Sequence, residues 1–258
     1  MSAPPTWVSS SIRGWPAHVA GGDGPTVVWL HGLGERAATF APVIAAPALA
    51  PLRHVILDLP GHGARAAEPG PPPSIDATAD QLAAWLADQP PVVVVGHSLG
   101  GVIALALAER APARLRAVVD VEGNVALPDC TYSSQIAAYP PDEFGARGHA
   151  EVCARLRAHA DPIIAGYGAR MATASPAQLW RYSCDLVAAS TAETSARRRA
   201  ALAVPLTYVA GAPGGTCPRG RALLAEAGVR TVEIAPAGHW PFVDHPAAVA
   251  AIVAAAAG

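Results

Sequence analysis

The sequence contains no lysine, so all 18 residues counted as lysine or arginine are arginines. This absence excludes chemistry that forms a Schiff base on a lysine, such as pyridoxal phosphate or aldolase reactions. It also excludes a phosphate-binding Walker lysine and a kinase-type lysine. Any catalysis therefore depends on serine, cysteine, histidine, a carboxylate or a cofactor.

Charge is scarce as well. The formal net charge is −2 and charged residues make up 15% of the chain. The only basic run, Arg197-Arg198-Arg199, is short. Nucleic acids and anionic membranes are bound by larger basic patches or stripes. We therefore expect neither a nucleic acid nor a membrane as a partner.

Cysteines are few, and their spacing does not indicate disulfide bonds. The four cysteines include no Cys-x-x-Cys pair, so the pattern predicts neither a disulfide framework nor a structural metal site. The first residues lack the basic and apolar regions of a signal peptide, and the longest apolar tract, residues 247–257, is too short to span a bilayer. These features predict a cytoplasmic protein with reduced thiols.

Short apolar runs that read as strands alternate with helical patterns along much of the chain. A chain of 258 residues with 52% hydrophobic residues is long enough to form one globular domain. Strands are predicted at 26–30, 55–57, 92–95, 117–122, 206–210 and 231–235. The continuous apolar character of the early strands is typical of a parallel sheet that is buried on both faces. The sequence thus predicts an α/β fold with a mostly parallel, doubly wound sheet.

Helices are predicted between most of these strands. A capping-box pattern, Thr78-x-x-Gln81, predicts a helix start before the third strand. Residues 99–110 and 218–227 have helical patterns, and a last helix is predicted from about Pro246.

The alternation is interrupted between the fourth and fifth strands, where residues 125–203 keep a helical periodicity. Asp161 and Ser175, each followed by proline, have the pattern of helix N-termini. We therefore predict a core formed by residues 1–124 and 204–258, with residues 125–203 inserted as a helical lid.

The segment Gly96-His97-Ser98-Leu99-Gly100 matches G-x-S-x-G, and it lies between a four-valine strand and a helix. This is the context in which the motif forms a sharp strand-to-helix turn that exposes the serine. The glycines are needed because side chains at their positions would collide with the neighbouring strand and helix. Ser98 is therefore the candidate nucleophile.

Three further motifs each follow a predicted strand. They are His31-Gly32-Leu33-Gly34, Asp58-Leu59-Pro60-Gly61-His62-Gly63 and Gly238-His239-Trp240-Pro241. Together with the serine motif, and in this order, they resemble the α/β-hydrolase superfamily. The resemblance covers residues 8–258 apart from the insertion, and it implies the α/β-hydrolase fold.

The resemblance implies a role for particular residues. Ser98 is implied as the nucleophile, His239 as the general base, and the backbone N–H groups of Leu33 and Leu99 as the oxyanion hole. No cofactor and no metal are implied. Because a serine hydroxyl is unreactive on its own, His239 is expected to accept its proton during attack.

The acidic member of the implied triad is where this sequence departs from the family. The usual aspartate follows the penultimate strand, but residues 211–216 contain no carboxylate. Glu122, at the carboxyl end of the strand after the serine helix, is the favoured replacement, since catalytic groups gather at that end of parallel strands. Asp120, two residues earlier, and Asp244 remain alternatives.

The sequence indicates only a broad class of substrate. The resemblance predicts hydrolysis of an ester, thioester or lactone of a moderately hydrophobic small molecule. An acyltransferase, a carbon-carbon hydrolase, a cofactor-free lyase and a ligand-binding receptor remain alternatives on the same fold. The oligomeric state is left open. The aromatic residues of the insertion line the pocket or form its own core: Tyr132, Tyr139, Phe144, Tyr167, Trp180 and Tyr182.

A dinucleotide site is the remaining alternative. Gly32-x-Gly34-x-x-Ala37 follows a strand, and Asp58 lies near the spacing of the Rossmann fingerprint. That interpretation explains neither the serine motif nor the terminal Gly-His-Trp. Of the remaining histidines, His31 and His62 are expected to brace loops, and His97 to fill the serine turn.

Overall fold

An eight-stranded sheet forms the centre of the molecule in the computed structural model, which describes residues 7–12 and 14–258. Its strands are β1 (Val8–Ile12), β2 (Trp15–Gly21), β3 (Thr26–Leu30), β4 (Arg53–Leu57), β5 (Val92–His97), β6 (Leu115–Val121), β7 (Leu206–Gly214) and β8 (Thr231–Gly238). They lie in the order β1-β2-β4-β3-β5-β6-β7-β8. β2 is antiparallel to both its neighbours, and the other pairs are parallel. The predicted α/β fold with a mostly parallel sheet is confirmed.

The central strands form because their side chains are apolar and mostly β-branched, which suits a surface packed on both faces. Val94 of β5 pairs with Val28 of β3 on one side and with Val118 of β6 on the other. All three side chains are almost completely buried. This register brings the carboxyl ends of β3, β5 and β6 to one edge of the sheet.

The helices cover the sheet and fill the insertion. The α-helices are α1 (Ala41–Ile44), α2 (Ile75–Leu86), α3 (Leu99–Arg110), α4 (Thr131–Ala137), α5 (Pro141–Glu143), α6 (His149–Arg157), α7 (Pro162–Met171), α8 (Pro176–Thr191), α9 (Ser195–Ala200), α10 (Pro218–Glu226), α11 (Pro241–Asp244) and α12 (Pro246–Ala257). A π-helical turn, Phe144–Gly148, joins α5 to α6. Short 3₁₀-helices occupy Ala37–Phe40, Pro47–Leu49, Gly63–Arg65, Pro112–Arg114 and Leu127–Asp129.

Two of the predicted helix caps are confirmed and one is wrong. Asp161 accepts a hydrogen bond from the N–H of Ile163 and caps α7, and Ser175 caps α8. Helix α2 begins at Ile75 instead of near Thr78, because Ser74 accepts from the N–H of Ala77 at 3.1 Å and is the cap. The serine precedes the predicted box by one helical turn.

The antiparallel hairpin of β1 and β2 was not predicted. β1 is rich in serine and β2 contains proline, so neither has the apolar run that indicated the other strands. β7 and β8 also extend beyond their predicted ends, since pairing continues to Gly214 and Gly238 despite the glycines.

The chain between the adjacent strands β6 and β7 forms helices α4 to α9. Phe144 and Tyr182 are completely buried within this helical segment. It is joined to α2, because the hydroxyls of Tyr182 and Thr78 lie 2.7 Å apart and Asp185 accepts from the N–H of Ile75 at 3.0 Å. The insertion is therefore fixed to the sheet layer by polar contacts as well as by apolar packing.

No helix in the described part of the chain combines the length and the apolar character needed to cross a membrane.

Candidate active site

Ser98 lies in the sharp turn between β5 and α3, with φ of 52° and ψ of −115°. A non-glycine residue in this region carries strain of about 1–3 kcal/mol and persists only where its surroundings hold it. The flanking glycines allow the turn: a Cβ at Gly96 would lie 2.3 Å from the carbonyl oxygen of Gly100. A Cβ at Gly100 would lie 2.0 Å from the carbonyl oxygen of Leu30. The steric reason predicted for the glycines therefore holds.

His239 follows β8, and its ring meets the carboxylate of Glu122, which follows β6. Nδ1 of His239 lies 3.2 Å from Oε2 of Glu122. A carboxylate accepts from a ring N–H, so this contact favours the tautomer with its proton on Nδ1 and leaves Nε2 able to accept one.

The second oxygen of Glu122 is held by β7 and by the loop that follows it. Oε1 accepts from the N–H of Gly211 at 2.7 Å, and from the N–H and hydroxyl of Thr216 at 3.1 and 3.0 Å. Gly215 makes room, since a Cβ there would lie 2.3 Å from Oε1. Burial opposes ionisation, but the contacts with His239 and with these N–H groups hold the pKa of Glu122 below its ordinary value.

Several carboxylates favour the protonated form of His239. Burial of the ring acts in the opposite direction, but the hydrogen bond and charge of Glu122, with the charges of Glu35 and Asp129, raise the pKa of His239 above 6.5. The ring is thus in a position where a gained proton is stabilised.

The two alternative acids have other partners. Asp120 is completely buried, and its Oδ2 accepts from Nε of the buried Arg199 at 2.7 Å. Asp244 accepts from the N–H of Gly238 at 3.0 Å. Of the three candidate carboxylates, only Glu122 is hydrogen-bonded to the ring of His239 among the described residues.

Ser98, His239 and Glu122 line one cavity of about 430 Å³ between the carboxyl edge of the sheet and the helical insertion. Within the described chain no hydrogen bond joins the hydroxyl of Ser98 to His239. Such contacts are often loose without substrate and tighten in the reacting complex.

In the loop after β3, two neighbouring backbone N–H groups donate hydrogen bonds to side chains, and among the described residues the one between them does not. The N–H of Gly32 donates to Oε2 of Glu35 at 3.0 Å, and the N–H of Gly34 donates to Nε2 of His62 at 3.0 Å. Leu33 lies between them and lines the cavity. The loop is therefore fixed on both sides of the Leu33 amide.

Leu33 and Leu99 were the predicted oxyanion donors. In residues 7–12 and 14–258, neither backbone N–H donates a hydrogen bond to the protein. Leu99 begins helix α3, and the first N–H groups of a helix have no partner within it. Within the described residues, both N–H groups are therefore free to donate a hydrogen bond to an oxygen atom of a bound molecule.

Glu35 was missed by sequence reasoning, although it lines the same cavity. Its side chain is almost completely buried; Oε1 accepts from Nε1 of Trp240 at 2.7 Å, and Oε2 lies 3.0 Å from Nδ1 of His97. Arg170 of α7 approaches Oε1 at 3.7 Å. Burial opposes ionisation, but His97, Arg170 and Trp240 lower the pKa of Glu35 from 4.5 to about 2. The one available signal was a carboxylate directly after a glycine-rich loop.

His97 links Glu35 to the backbone of His239. Its Nε2 lies 2.8 Å from the carbonyl oxygen of His239, while its Nδ1 faces the carboxylate of Glu35. The residue before Ser98 therefore connects Glu35 to the segment that carries His239.

The other loop histidines have the predicted bracing role. Nε2 of His31 accepts from the N–H of Leu59 at 3.0 Å, and Nε2 of His62 accepts from Gly34. Burial lowers the pKa of both rings. Both therefore act as neutral acceptors between the loops that follow β3 and β4.

The Rossmann interpretation does not fit the local structure. The fingerprint needs an α-helix that begins within its glycine-rich turn and packs on the strand, but residues 37–44 form only a short 3₁₀-helix and a four-residue α-helix. Asp58 accepts from the N–H groups of Ala37 and Ala64, at 2.8 and 2.9 Å. Its carboxylate is thus engaged with the protein backbone.

The aromatic residues of the insertion fall into three pairs: Tyr132 and Tyr167, Phe144 and Tyr182, and Tyr139 and Trp180. The first pair lines the cavity, and the second is buried in the helical segment. In the third pair the indole N–H of Trp180 donates to the carbonyl oxygen of Tyr139 at 2.8 Å, and neither residue lines the cavity.

No three histidine, cysteine or acidic side chains come together in a metal-binding arrangement in the part of the chain that the structure describes.

Comparison with known proteins identifies the family of this chain. Residues 27–252 match the model of the alpha/beta hydrolase family. A pimeloyl-[acyl-carrier protein] methyl ester esterase from Chromobacterium violaceum is 44% identical over 97 residues, which are 38% of this chain and 36% of that protein. An esterase from Mycobacterium tuberculosis is 39% identical over 119 residues, 44% of this chain and 36% of that one. The matches thus span little more than a third of either relative.

Solved structures share the whole fold. A hydrolase from Pseudomonas aeruginosa superposes with a TM-score of 0.73 over 98% of both chains, at 23% identity. A thermophilic esterase from Thermogutta terrifontis gives 0.72 over 97% of both chains, at 19% identity. At this level of identity the likeness concerns the fold alone.

Proposed function

This chain belongs to the alpha/beta hydrolase family, and from that premise we propose that it is a serine hydrolase. Its substrate is an ester, thioester or lactone of a moderately hydrophobic small molecule. One observation carries the proposal: Ser98 in its strained turn, and a His239–Glu122 pair at 3.2 Å, line the same cavity.

The reaction has two halves. The hydroxyl oxygen of Ser98 attacks the carbonyl carbon as its proton passes to Nε2 of His239. The tetrahedral intermediate then expels the alcohol, thiol or lactone oxygen, which takes the proton from His239. Water, deprotonated by the same ring, hydrolyses the acyl-enzyme and restores Ser98.

The backbone N–H groups of Leu33 and Leu99 stabilise the negative oxygen of each tetrahedral intermediate. Neither amide has a partner in the described protein, and preorganised donors of this kind each contribute a factor of about 10² to 10³ in rate. The bonds that Glu35 and His62 make to the flanking amides hold the loop in place.

Glu122 acts as the triad acid. It holds His239 in the tautomer that leaves Nε2 free, and it stabilises the imidazolium formed during attack. The loop after β7 supplies no carboxylate, but the N–H of Gly211 in β7 and the N–H of Thr216 in that loop fix Glu122 beside His239.

Residues 125–203 act as the lid of this site. Tyr132, Tyr167 and Ile163 contribute its apolar wall. Tyr132→Ala should change the ratio of kcat/KM between short and long acyl esters. Trp180→Ala, an aromatic change in the same segment but away from the cavity, is the matched control and should leave that ratio unchanged.

The deciding experiment is active-site labelling. A fluorophosphonate should modify Ser98, detected by mass spectrometry of the intact protein and its peptides, and Ser98→Ala should abolish the adduct. A panel of acyl esters, neutral thioesters and lactones then identifies the substrate class. Failure of the wild type to label and to hydrolyse any of them would refute the proposal, whereas labelling without hydrolysis would favour acyl transfer.

A further inference from the structure

Carboxylates dominate the charge of the cavity. Five acidic side chains line it: Glu35, Glu122, Asp129, Asp161 and Asp244. Among the described lining residues there is no arginine, and the chain has no lysine. Among the wall residues that the structure describes, the basic side chains are those of His97 and His239.

Two of these carboxylates are balanced by a neighbour. Glu35 faces His97 at 3.0 Å and Arg170 at 3.7 Å. Glu122 faces His239 at 3.2 Å. Arg170 therefore offsets part of the charge of Glu35, and His239 offsets that of Glu122 when its ring is protonated.

Among the described residues, the other three are bound mainly by backbone N–H groups, and Asp129 also accepts from the N–H of Cys217 at 2.8 Å. Asp129 accepts from the N–H groups of Val125 and Ala126, at 3.0 and 2.9 Å, and Asp161 accepts from Ile163 at 2.8 Å. Asp244 accepts from Gly238 at 3.0 Å. In the described chain none of the three forms a salt bridge. Peptide N–H dipoles stabilise an ionised carboxylate but leave its full charge in place, so the cavity keeps a net negative potential.

Part of the remaining wall is apolar, beside the polar side chains of Asn124, Thr131 and Ser133. Tyr132, Ile163, Ile164, Tyr167 and Leu186 line the cavity on the side of the insertion. A neutral acyl chain is desolvated favourably against such a surface. An anionic group there would lose its hydration and face like charges, and the described lining residues include no arginine to pair with it.

We propose that this cavity selects substrates without negative charge, so that the substrate is a neutral ester, lactone or thioester and not one that carries a carboxylate or phosphate. This inference rests on the proposed serine hydrolase function. It separates neutral thioesters, which the cavity admits, from coenzyme A thioesters, whose phosphates it repels.

The test uses acyl groups that differ only at the far end. The p-nitrophenyl ester of hexanoate is compared with the mono-p-nitrophenyl ester of adipate, which carries a terminal carboxylate, and with the methyl p-nitrophenyl diester of adipate, which masks that charge. We expect the monoester to have a kcat/KM about 100-fold below that of the diester, because like charges in contact oppose binding strongly. The trimethylammonium analogue of the hexanoate should react at least as well as the diester.

Variants assign the effect to charge. Asp161→Asn keeps a helix-capping oxygen, since asparagine caps as well as aspartate, and it should raise the monoester-to-diester ratio several-fold. Asp142→Asn removes an exposed carboxylate that does not line the cavity and should leave the ratio unchanged. Added salt should also raise the ratio, since it screens exposed charge.

The outcomes separate this inference from the proposed function. Equal kcat/KM values for monoester and diester would overturn the inference and leave the serine hydrolase intact. If none of these esters is turned over, the labelling rates of Ser98 by a neutral and a carboxylate-ended fluorophosphonate make the same comparison. No labelling by either probe would overturn the proposed function itself.

Discussion

Glu122 and Glu35 are both buried carboxylates near His239, but they contact different parts of the site. Glu122 binds the imidazole ring. Glu35 binds the framework around it, through the N–H of Gly32 and the side chains of His97 and Trp240. In the proposed mechanism one carboxylate would therefore act on a proton, and the other on the position of the residues around the reacting groups.

The two carboxylates differ in what holds them and in what they hold. Glu122 is fixed by backbone donors of β7 and of the loop that follows it, so the ring of His239 meets an acceptor in a fixed position. Glu35, in the loop after β3, contacts the last residue of β5 through His97 and the loop after β8 through Trp240. It also approaches helix α7 through Arg170. Replacing each carboxylate by its amide should therefore affect different steps, with Glu122 mattering more for turnover.

The largest effect is expected for Ser98→Ala. Its residual kcat is the baseline with which the variants of both carboxylates are compared. Removing the nucleophile of such a site typically lowers turnover by about 10⁶. The measurement is kcat on the best ester of the panel. Ser134→Ala, a half-buried serine of α4 that does not line the cavity, is the control and should keep full activity. Retention of most activity in Ser98→Ala would mean that neither carboxylate serves a serine nucleophile.

Glu122→Gln is expected to have the next largest effect. The neutral amide cannot stabilise the positive charge of the His239 imidazolium. Turnover falls by up to about 10⁴ when a triad acid is changed in this way. Substrate KM and the circular dichroism spectrum should stay near those of the wild type.

Asp120→Asn is the matched comparison, two residues away on the same strand. It removes the partner of the buried Arg199, whose guanidinium nitrogens Nη1 and Nη2 already have no hydrogen bond in the described structure. An unpaired buried charge lowers stability by about 3–5 kcal/mol, so urea unfolding should shift more than turnover of the folded protein. The opposite ranking would move the acid to Asp120.

Glu35→Gln is expected to lower turnover by about 10- to 100-fold, the size that follows from losing one or two hydrogen bonds to a charged group. The amide offers one accepting oxygen where the carboxylate serves the N–H of Gly32 and the indole of Trp240. If Glu35 positions the site, Glu35→Asp should recover part of kcat. Glu68→Gln changes a surface glutamate that is paired with Arg65, and is the control. A wild-type kcat in Glu35→Gln would remove the framework role.

The contrast between the two carboxylates also marks how far the sequence could predict the site. Ser98 was predictable because its turn depends on adjacent residues and on the strand and helix beside it. Glu122 was a candidate because it ends a strand, but its selection over Asp120 depends on N–H donors of Gly211 and Thr216, which lie about ninety residues further along the chain. Sequence spacing does not encode such contacts.

Glu35 could not be predicted for the same reason. Its partners come from Gly32, His97, Arg170 and Trp240, which share no local pattern. The fold shows a similar division: the valine-rich centre of the sheet was predictable from local composition, whereas the serine-rich β1 is a strand only because β2 pairs with it. Tertiary contacts overrode local preference there.

The smallest effect, and the finest test of the comparison, is the pH dependence of kcat/KM, which reports groups of the free enzyme. Activity should rise with pH as His239 loses its proton, with a midpoint above 6.5, because the pKa of this ring is raised. The groups that face it are Glu122, Glu35 and Asp129, with the ring of His97 at 4.9 Å.

Both amide variants should move that midpoint to lower pH. Each removes a negative charge that stabilises the imidazolium, so the pKa of His239 falls and the neutral base persists in more acidic solution. The shift should be larger for Glu122→Gln, which loses a direct hydrogen bond as well as a charge, than for Glu35→Gln, which loses only the charge. The readout is the rising limb of kcat/KM between acidic and neutral pH, measured beside Glu68→Gln, which should superpose on the wild type. A Glu35→Gln limb that also superposes on the wild type would show that Glu35 acts on position alone; a limb displaced further than that of Glu122→Gln would reverse the roles of the two carboxylates.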